Sequence, residues 1–201
     1  MMQVLVFLFF IIIFLQLLYV TQGFNNLPNL DFNDINTVNL SILTPIKYHK
    51  DTILQTYPKN INKVCILGFG IGELPLDLSK NNNIIKIDCV DMEIKMFELF
   101  KTINPNPPKK IHYYLNDVNE YINRSDQKYN MIVDDTFATE KIIVDYSSLK
   151  KMLVPNGILF INIIDYEAST KLAEELKKTY TDVSHQKVNL NYLITCNRGS
   201  N

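Results

Sequence analysis

The sequence lacks a surplus of either charge. Twenty basic residues face 21 acidic ones, a formal net charge of -1 over 201 residues, so no broad basic surface for nucleic acid is implied. Histidine is scarce. His49, His112 and His185 are scattered and give no spacing suited to a metal. Cysteine is scarce too, and the three present do not make a disulfide framework. Cys65 and Cys89 fall inside expected strands and Cys196 in a late one, where each reads as a small buried apolar residue. No Ser/His/Asp or Cys/His arrangement for nucleophilic catalysis can be drawn. Internal repeats are absent, and the length suits one domain with a substantial core.

Residues 1–23, "MMQVLVFLFFIIIFLQLLYVTQG", lack charge altogether, and the first charged side chain is Asp31. The apolar run from Val4 to Val20 is longer than a usual signal h-region and slightly short for a membrane span. Thr21 and Gly23 are small enough for cleavage after Gly23. The segment reads as a secretory signal peptide or an uncleaved signal anchor, which makes the chain secreted or membrane-anchored. A basic n-region is missing, so topology is not fixed. The sequons at Asn39 and Asn123 are expected to carry glycans if the chain enters the secretory pathway. Residues 24–60 form a polar, Asn-rich lead-in. Within it, "TVNLSIL" suits a short strand and "YHKDTILQTY" a helix that ends before Pro58.

From residue 61 onward the patterns alternate. "KVCILGF" is a continuous apolar run, as expected of a strand buried on both faces. "GELPLDLSKN" reads as a helix with Pro75 in its first turn, and "IIKIDCVD" as a second strand. "EIKMFELFKTI" has apolar residues at 94, 96, 97, 99, 100 and 103, a helical face. After the breaker loop "NPNPPKK" come a strand, "IHYYLN", a short helix, "DVNEYINRS", and a fourth strand, "YNMIVDD". "VDYSSLKKML" is a helix closed by "VPNG". A strand, "ILFINII", a helix, "EASTKLAEELKKTY", and a last strand, "NLNYLITCN", follow. Strict alternation of this kind means an α/β fold, a mostly parallel sheet with helices on both faces.

Glycine is also rare, yet three of the six glycines are Gly68, Gly70 and Gly72. They lie between the first strand and the first helix, where open α/β sheets bind ligands. Such residues let a ligand approach the backbone closely. Glu73 stands where a dinucleotide fingerprint needs a small residue, and it places negative charge at a helix N-terminus. That disfavours a pyrophosphate and ranks a nicotinamide oxidoreductase last. Asp91 ends the second strand 19 residues after Gly72, the usual place for a carboxylate that accepts ribose hydroxyls. Asp117 follows the third strand, and Asp134 and Asp135 end the fourth. Each alone suits a helix cap or a turn. Together around one glycine loop they suit an acidic crevice for a sulfonium cation.

With these residues in view, the sequence resembles the S-adenosylmethionine-dependent methyltransferase superfamily, and within it the spermidine synthase-like (polyamine synthase) branch. Ile66 before the glycines follows that branch's pattern. "CVDMEIKMFEL" resembles the ribose-binding strand end, "YYLNDVNEYI" the segment whose aspartate meets the adenine amine, and "YNMIVDDTF" the strand that delivers a catalytic aspartate. "LKKMLVPNGILFINI" matches the helix, turn and strand that follow. The resemblance covers roughly residues 60–197. It implies a Rossmann-like class I methyltransferase fold with a seven-stranded, mostly parallel sheet.

It also implies roles. Gly68, Gly70, Gly72, Asp91 and Asp117 would bind S-adenosylmethionine or decarboxylated S-adenosylmethionine, and Asp135 would be catalytic, with no metal. Expected partners are a small-molecule amine or another acceptor. Nucleic acid is not expected, membrane contact is confined to the N-terminal segment, and a homodimer is compatible with this reading. Two positions depart from the branch: Ile71 replaces an acidic residue between the last two glycines, and Ala138 replaces a second aspartate. With a short lead-in, they raise an alternative: a non-catalytic, secreted or membrane-anchored member of the same fold that serves as an interaction module.

Overall fold

A strand with no polar residue between Val64 and Leu67 has to be covered on both faces, and in the computed structural model it is the centre of the sheet. This is β1 (Lys63–Leu67), whose last four residues are buried. The structure describes residues 47–136, 144–188 and 191–200, all within a unit spanning 44–201. The apolar N-terminal segment, the sequon at Asn39, the strand expected over 37–43 and Ala138 lie outside the described residues.

In chain order, α1 (Lys47–Thr56) leads into β1. Then come α2 (Glu73–Ser79), β2 (Lys86–Asp91), α3 (Ile94–Ile103), β3 (Ile111–Leu115), α4 (Val118–Arg124) and β4 (Tyr129–Asp134). After them come α5 (Tyr146–Leu149) with a 3-10 turn over Lys150–Met152, β5 (Leu153–Ile163), α6 (Tyr166–Leu176), β6 (Thr181–Val188) and β7 (Asn191–Asn197). The sheet is seven-stranded, in the order β3-β2-β1-β4-β5-β7-β6. β1 to β5 pair in parallel, and β7 runs antiparallel to both β5 and β6. This is the Rossmann-like methyltransferase fold that the resemblance implies.

The topology fixes where a ligand can sit. From β1 the chain winds outward to β2 and β3, then crosses back to β4 on the other side of β1. The C-terminal ends of β1 and β4 therefore flank the switch point where open sheets form a crevice. Leu67, Ile132 and Ile161 face one core cluster, closed by Tyr121, Leu149 and Leu172. The alternate residues Ile66, Met131 and Phe160 point the other way and are equally buried, as are Ile53, Leu78 and Phe100 of α1, α2 and α3.

Two elements differ from the expected pattern. β6 has no strand signal in the sequence, because "TDVSHQKV" carries only Val183 and Val188 as apolar residues. It is an edge strand with no fully buried residue, so burial imposes no apolar run on it. "VPNG" has the local composition of a turn closing a helix, but it lies within β5. Tyr129 pairs with Leu153 and Met131 with Ile158, so Pro155, Asn156 and Gly157 bulge out of the ladder, with Asn156 at φ 58°.

Candidate nucleoside-binding site

The glycine loop is built against its neighbours before any ligand is considered. Gly68 donates its N–H to Val90 O at 2.8 Å, and Asp135 donates to Leu67 O at 2.8 Å, so the tips of β2, β1 and β4 are tied in a row. Gly68 lies at φ +84°, and a Cβ there would stand 2.5 Å from the Asp135 carbonyl oxygen. Only glycine lets the loop pass this close to β4. Gly70 also has a positive φ, yet a Cβ on it would meet nothing within 4 Å. Gly70 is thus the exposed crest of the loop.

Asp91 closes β2 as expected, and its carboxylate does more than face a crevice. Oδ2 accepts the Phe69 N–H at 2.7 Å and Oδ1 accepts the Glu93 N–H at 2.9 Å. Two of roughly four lone-pair sites of the carboxylate are thus used to hold the glycine loop and the start of α3. The Phe69 side chain anchors the same loop. Its ring makes edge contacts with Phe97, Phe100 and Tyr113 at centroid distances of 5.8, 5.2 and 5.4 Å, a favoured aromatic geometry. Phe97 and Tyr113 stack at 4.2 Å. Tyr113 OH donates to Glu93 O at 3.0 Å, and burial with the charges of Asp91 and Glu93 pushes its phenol up. Tyr114 points to the opposite face, against Tyr121 at 5.2 Å, the split expected for adjacent strand residues.

Asp117 is placed at the same end of the sheet, with Asn116 N–H bonded to Asp91 O at 3.1 Å. Its side chain caps α4, accepting the Glu120 N–H at 3.0 Å. Asp134 and Asp135 separate across the sheet, and the expectation that both line one crevice is corrected here. Asp134 is 2 % exposed and accepts from Thr136 N, Thr136 Oγ1 and Tyr146 OH at 3.0, 2.6 and 2.6 Å. Burial raises its carboxyl above the usual range, and the bonds from Thr136 and Tyr146 oppose that rise. Strand alternation turns Asp135 the other way, where Oδ1 accepts from Asn162 Nδ2 at 2.8 Å. The structure thus gathers Gly68, Gly70, Gly72, Asp91 and Asp135 around one loop, sets Asp117 beside them, and leaves Asp134 in the core.

Glu73 does not stand as a lone negative charge on the loop. Lys50 of α1 reaches Glu73 at 3.2 Å and Asp77 at 2.8 Å. Burial disfavours the Lys50 charge, but the bonds to Asp77 and Glu73 outweigh it and raise the ammonium pKa. Sequence reasoning missed this cation, because α1 and α2 are joined only by the fold. It also missed Asn162 and Asn191, which no motif marks, and the exposed apolar Met92, Ile94 and Leu115 beside Asp91 and Asp117. Among the described residues, no group of three His, Cys, Asp or Glu side chains could hold a metal.

No family model matches the sequence, and no curated protein matches it. Solved structures do match, 1042 chains of them, a breadth at which the fold is recognised but no one chemistry is selected. Human methyltransferase-like protein 13, in complex with SAH, is 18 % identical with a TM-score of 0.59 over 79 % of this chain and 78 % of that one. The N-methyltransferase NodS from Bradyrhizobium japonicum WM9, in complex with S-adenosyl-L-homocysteine, is 11 % identical with a TM-score of 0.59 over 76 % and 86 %. The tRNA (m1A58) methyltransferase TrmI from Aquifex aeolicus is 16 % identical with a TM-score of 0.60 over 80 % and 75 %. At these identities the likeness establishes the class I methyltransferase fold.

Proposed function

We propose that this chain is a transferase that binds S-adenosylmethionine or its decarboxylated form beside the glycine loop, as a divergent member of the spermidine synthase-like branch. The observation that carries the reading is Asp91. Its carboxylate is fixed at the β2 tip by Phe69 N–H and Glu93 N–H, next to the open crest of the loop at Gly70. The remaining lone pairs of a carboxylate held in this way suit a ribose diol. Met92 and Leu115, exposed at the tips of β2 and β3, suit the faces of an adenine, with Asp117 near its amine. Two solved neighbours that share the fold hold the demethylated product of this co-substrate.

Asp135 would act on the acceptor. An amine nitrogen attacks the carbon on the sulfonium, the carbon–sulfur bond breaks, and its electron pair leaves on sulfur as a neutral thioether. The proton lost by the amine passes to the Asp135 carboxylate. Transfer of a methyl group follows from S-adenosylmethionine, and of an aminopropyl group from the decarboxylated form.

Calorimetric titration of both nucleosides into the full chain tests the reading. We expect one of them to bind, and Asp91→Asn to weaken it about tenfold or more through loss of charge-assisted hydrogen bonds. Absence of binding by either at millimolar concentration overturns it. A second reading, a non-catalytic interaction module, is favoured by the use of Asp117 as a helix cap. Turnover of any amine or methyl acceptor rejects it. We also propose that residues 1–23 direct the chain into the secretory pathway. Asn123 is exposed near the end of α4, so glycosidase treatment should increase the mobility of the natural protein, and Asn123→Gln should remove part of that shift.

A further inference from the structure

Three polar side chains form a line across the tips of β4, β5 and β7. Asn191 Nδ2 donates to Asn162 Oδ1 at 2.9 Å, and Asn162 Nδ2 donates to Asp135 Oδ1 at 2.8 Å. All three are partly buried. The register brings them together: Asp134 pairs with Ile161 and Leu193 with Asn162, so Asp135 and Asn191 stand on either side of Asn162. The line has one direction. If the Asn162 amide turned over, its oxygen would face the Asp135 carboxylate and its NH2 would face the Asn191 NH2, and both contacts would become repulsive. The carboxylate, which only accepts, therefore fixes the Asn162 amide, Asn191 braces that amide from the far side, and Asn162 holds one oxygen of the carboxylate.

We infer that Asn162 and Asn191 are positioning residues for Asp135. Asn191, from the antiparallel strand, sets the carboxylate's orientation toward an acceptor and leaves the nucleoside side unchanged. This rests on the reading above that Asp135 faces the acceptor. It adds to that reading a β7 residue that touches neither ligand.

The test uses the full chain and the variants Asn162→Leu, Asn191→Leu, Asn191→Asp, Asp135→Asn and Asn162→Leu/Asp135→Asn. Asn191→Asp keeps the size of the side chain and replaces its donor with an acceptor, so it separates a broken relay from a failure to fold. Three quantities are read: the Asn162 side-chain amide signals in nitrogen-edited NMR spectra, the affinity for S-adenosylhomocysteine, and the affinity for putrescine with that nucleoside bound. The Asn162 signals are expected to move in Asn191→Asp and in Asp135→Asn. Nucleoside affinity should stay within about twofold. Putrescine affinity should fall about tenfold in Asn162→Leu and in both Asn191 variants, the scale of one hydrogen bond to a charged group. It should fall no further in the double variant than in Asp135→Asn.

Unmoved Asn162 signals in Asn191→Asp overturn the inference. So do equal losses of nucleoside and putrescine, independent effects in the double variant, or nucleoside binding without putrescine binding in the wild type. If the wild type binds no nucleoside, the proposed function fails, and the positioning role, which rests on it, fails with it. The amide signals then report only whether the relay exists as structure.

Discussion

Gly68 and Gly70 lie two residues apart and face different constraints. A methyl group on Gly68 meets the Asp135 backbone at 2.5 Å in a left-handed conformation, whereas one on Gly70 meets open space. Gly68→Ala should therefore destabilise the fold by about 2–4 kcal/mol, and Gly70→Ala by only about 1 kcal/mol of left-handed strain. Urea unfolding of the two variants checks the difference. Asp145 permits a prediction in pH. Hydrogen bonds from Ser148 and Ser147 hold its carboxyl at about 2, below the ~3.9 of an unfolded aspartate. A folded value below the unfolded one adds stability above pH ~3.9 that is lost as pH falls through the folded value. Asp134, raised by burial, has the opposite sign: its contribution is present at low pH and lost as pH rises through its folded value. Asp145→Asn keeps a helix cap and should flatten part of the acid loss, while Asp145→Ala should cost about 1 kcal/mol at neutral pH. Unfolding midpoints at acidic and neutral pH measure both. At this scale the sequence was only partly legible. A carboxylate after a strand serves equally as cap, core acceptor or ligand: Asp117 takes the local cap, whereas Tyr146 on Asp134 and Asn162 on Asp135 come from later elements that no local pattern encodes.

Elements were more legible than residues, for a physical reason. β1 is buried on both faces and reads as a continuous apolar run, while β2 and β4 are also largely buried and still read as strands although Asp88 and Asn130 interrupt their apolar residues. β6 escaped because an edge strand carries no such requirement, and the β5 bulge escaped because Pro-Asn-Gly reads locally as a turn. The docking of α1 on α2 belongs to the same class of unreadable facts, since Lys50 meets Glu73 and Asp77 across the break between helices. Lys50→Met should cost about 1–2 kcal/mol, between the worth of exposed and buried ion pairs, because the lysine is buried and its partners are partly exposed. Hydrogen exchange should show the amides of α1 losing protection while those of β1 and β4 keep theirs. Equal loss throughout would mean that Lys50 supports the whole fold and does not act as a local latch.

At the scale of the molecule, the switch point between β1 and β4 decides where chemistry can occur, and the glycine loop fills it. The Asp91 carboxylate and the aromatic cluster both hold that loop at Phe69, one by a hydrogen bond from its backbone N–H and the other by three neighbours of its ring. The consequence is kinetic. The entropy of ordering the loop is lost once, during folding, and not again at each encounter. A nucleoside meeting this surface would associate at a rate that tracks solvent viscosity, with no slow saturating phase at high ligand concentration. Phe69→Ala, by loosening the loop, should introduce that phase in stopped-flow traces. The same ring that shapes the resting molecule would then set the tempo at which it fills.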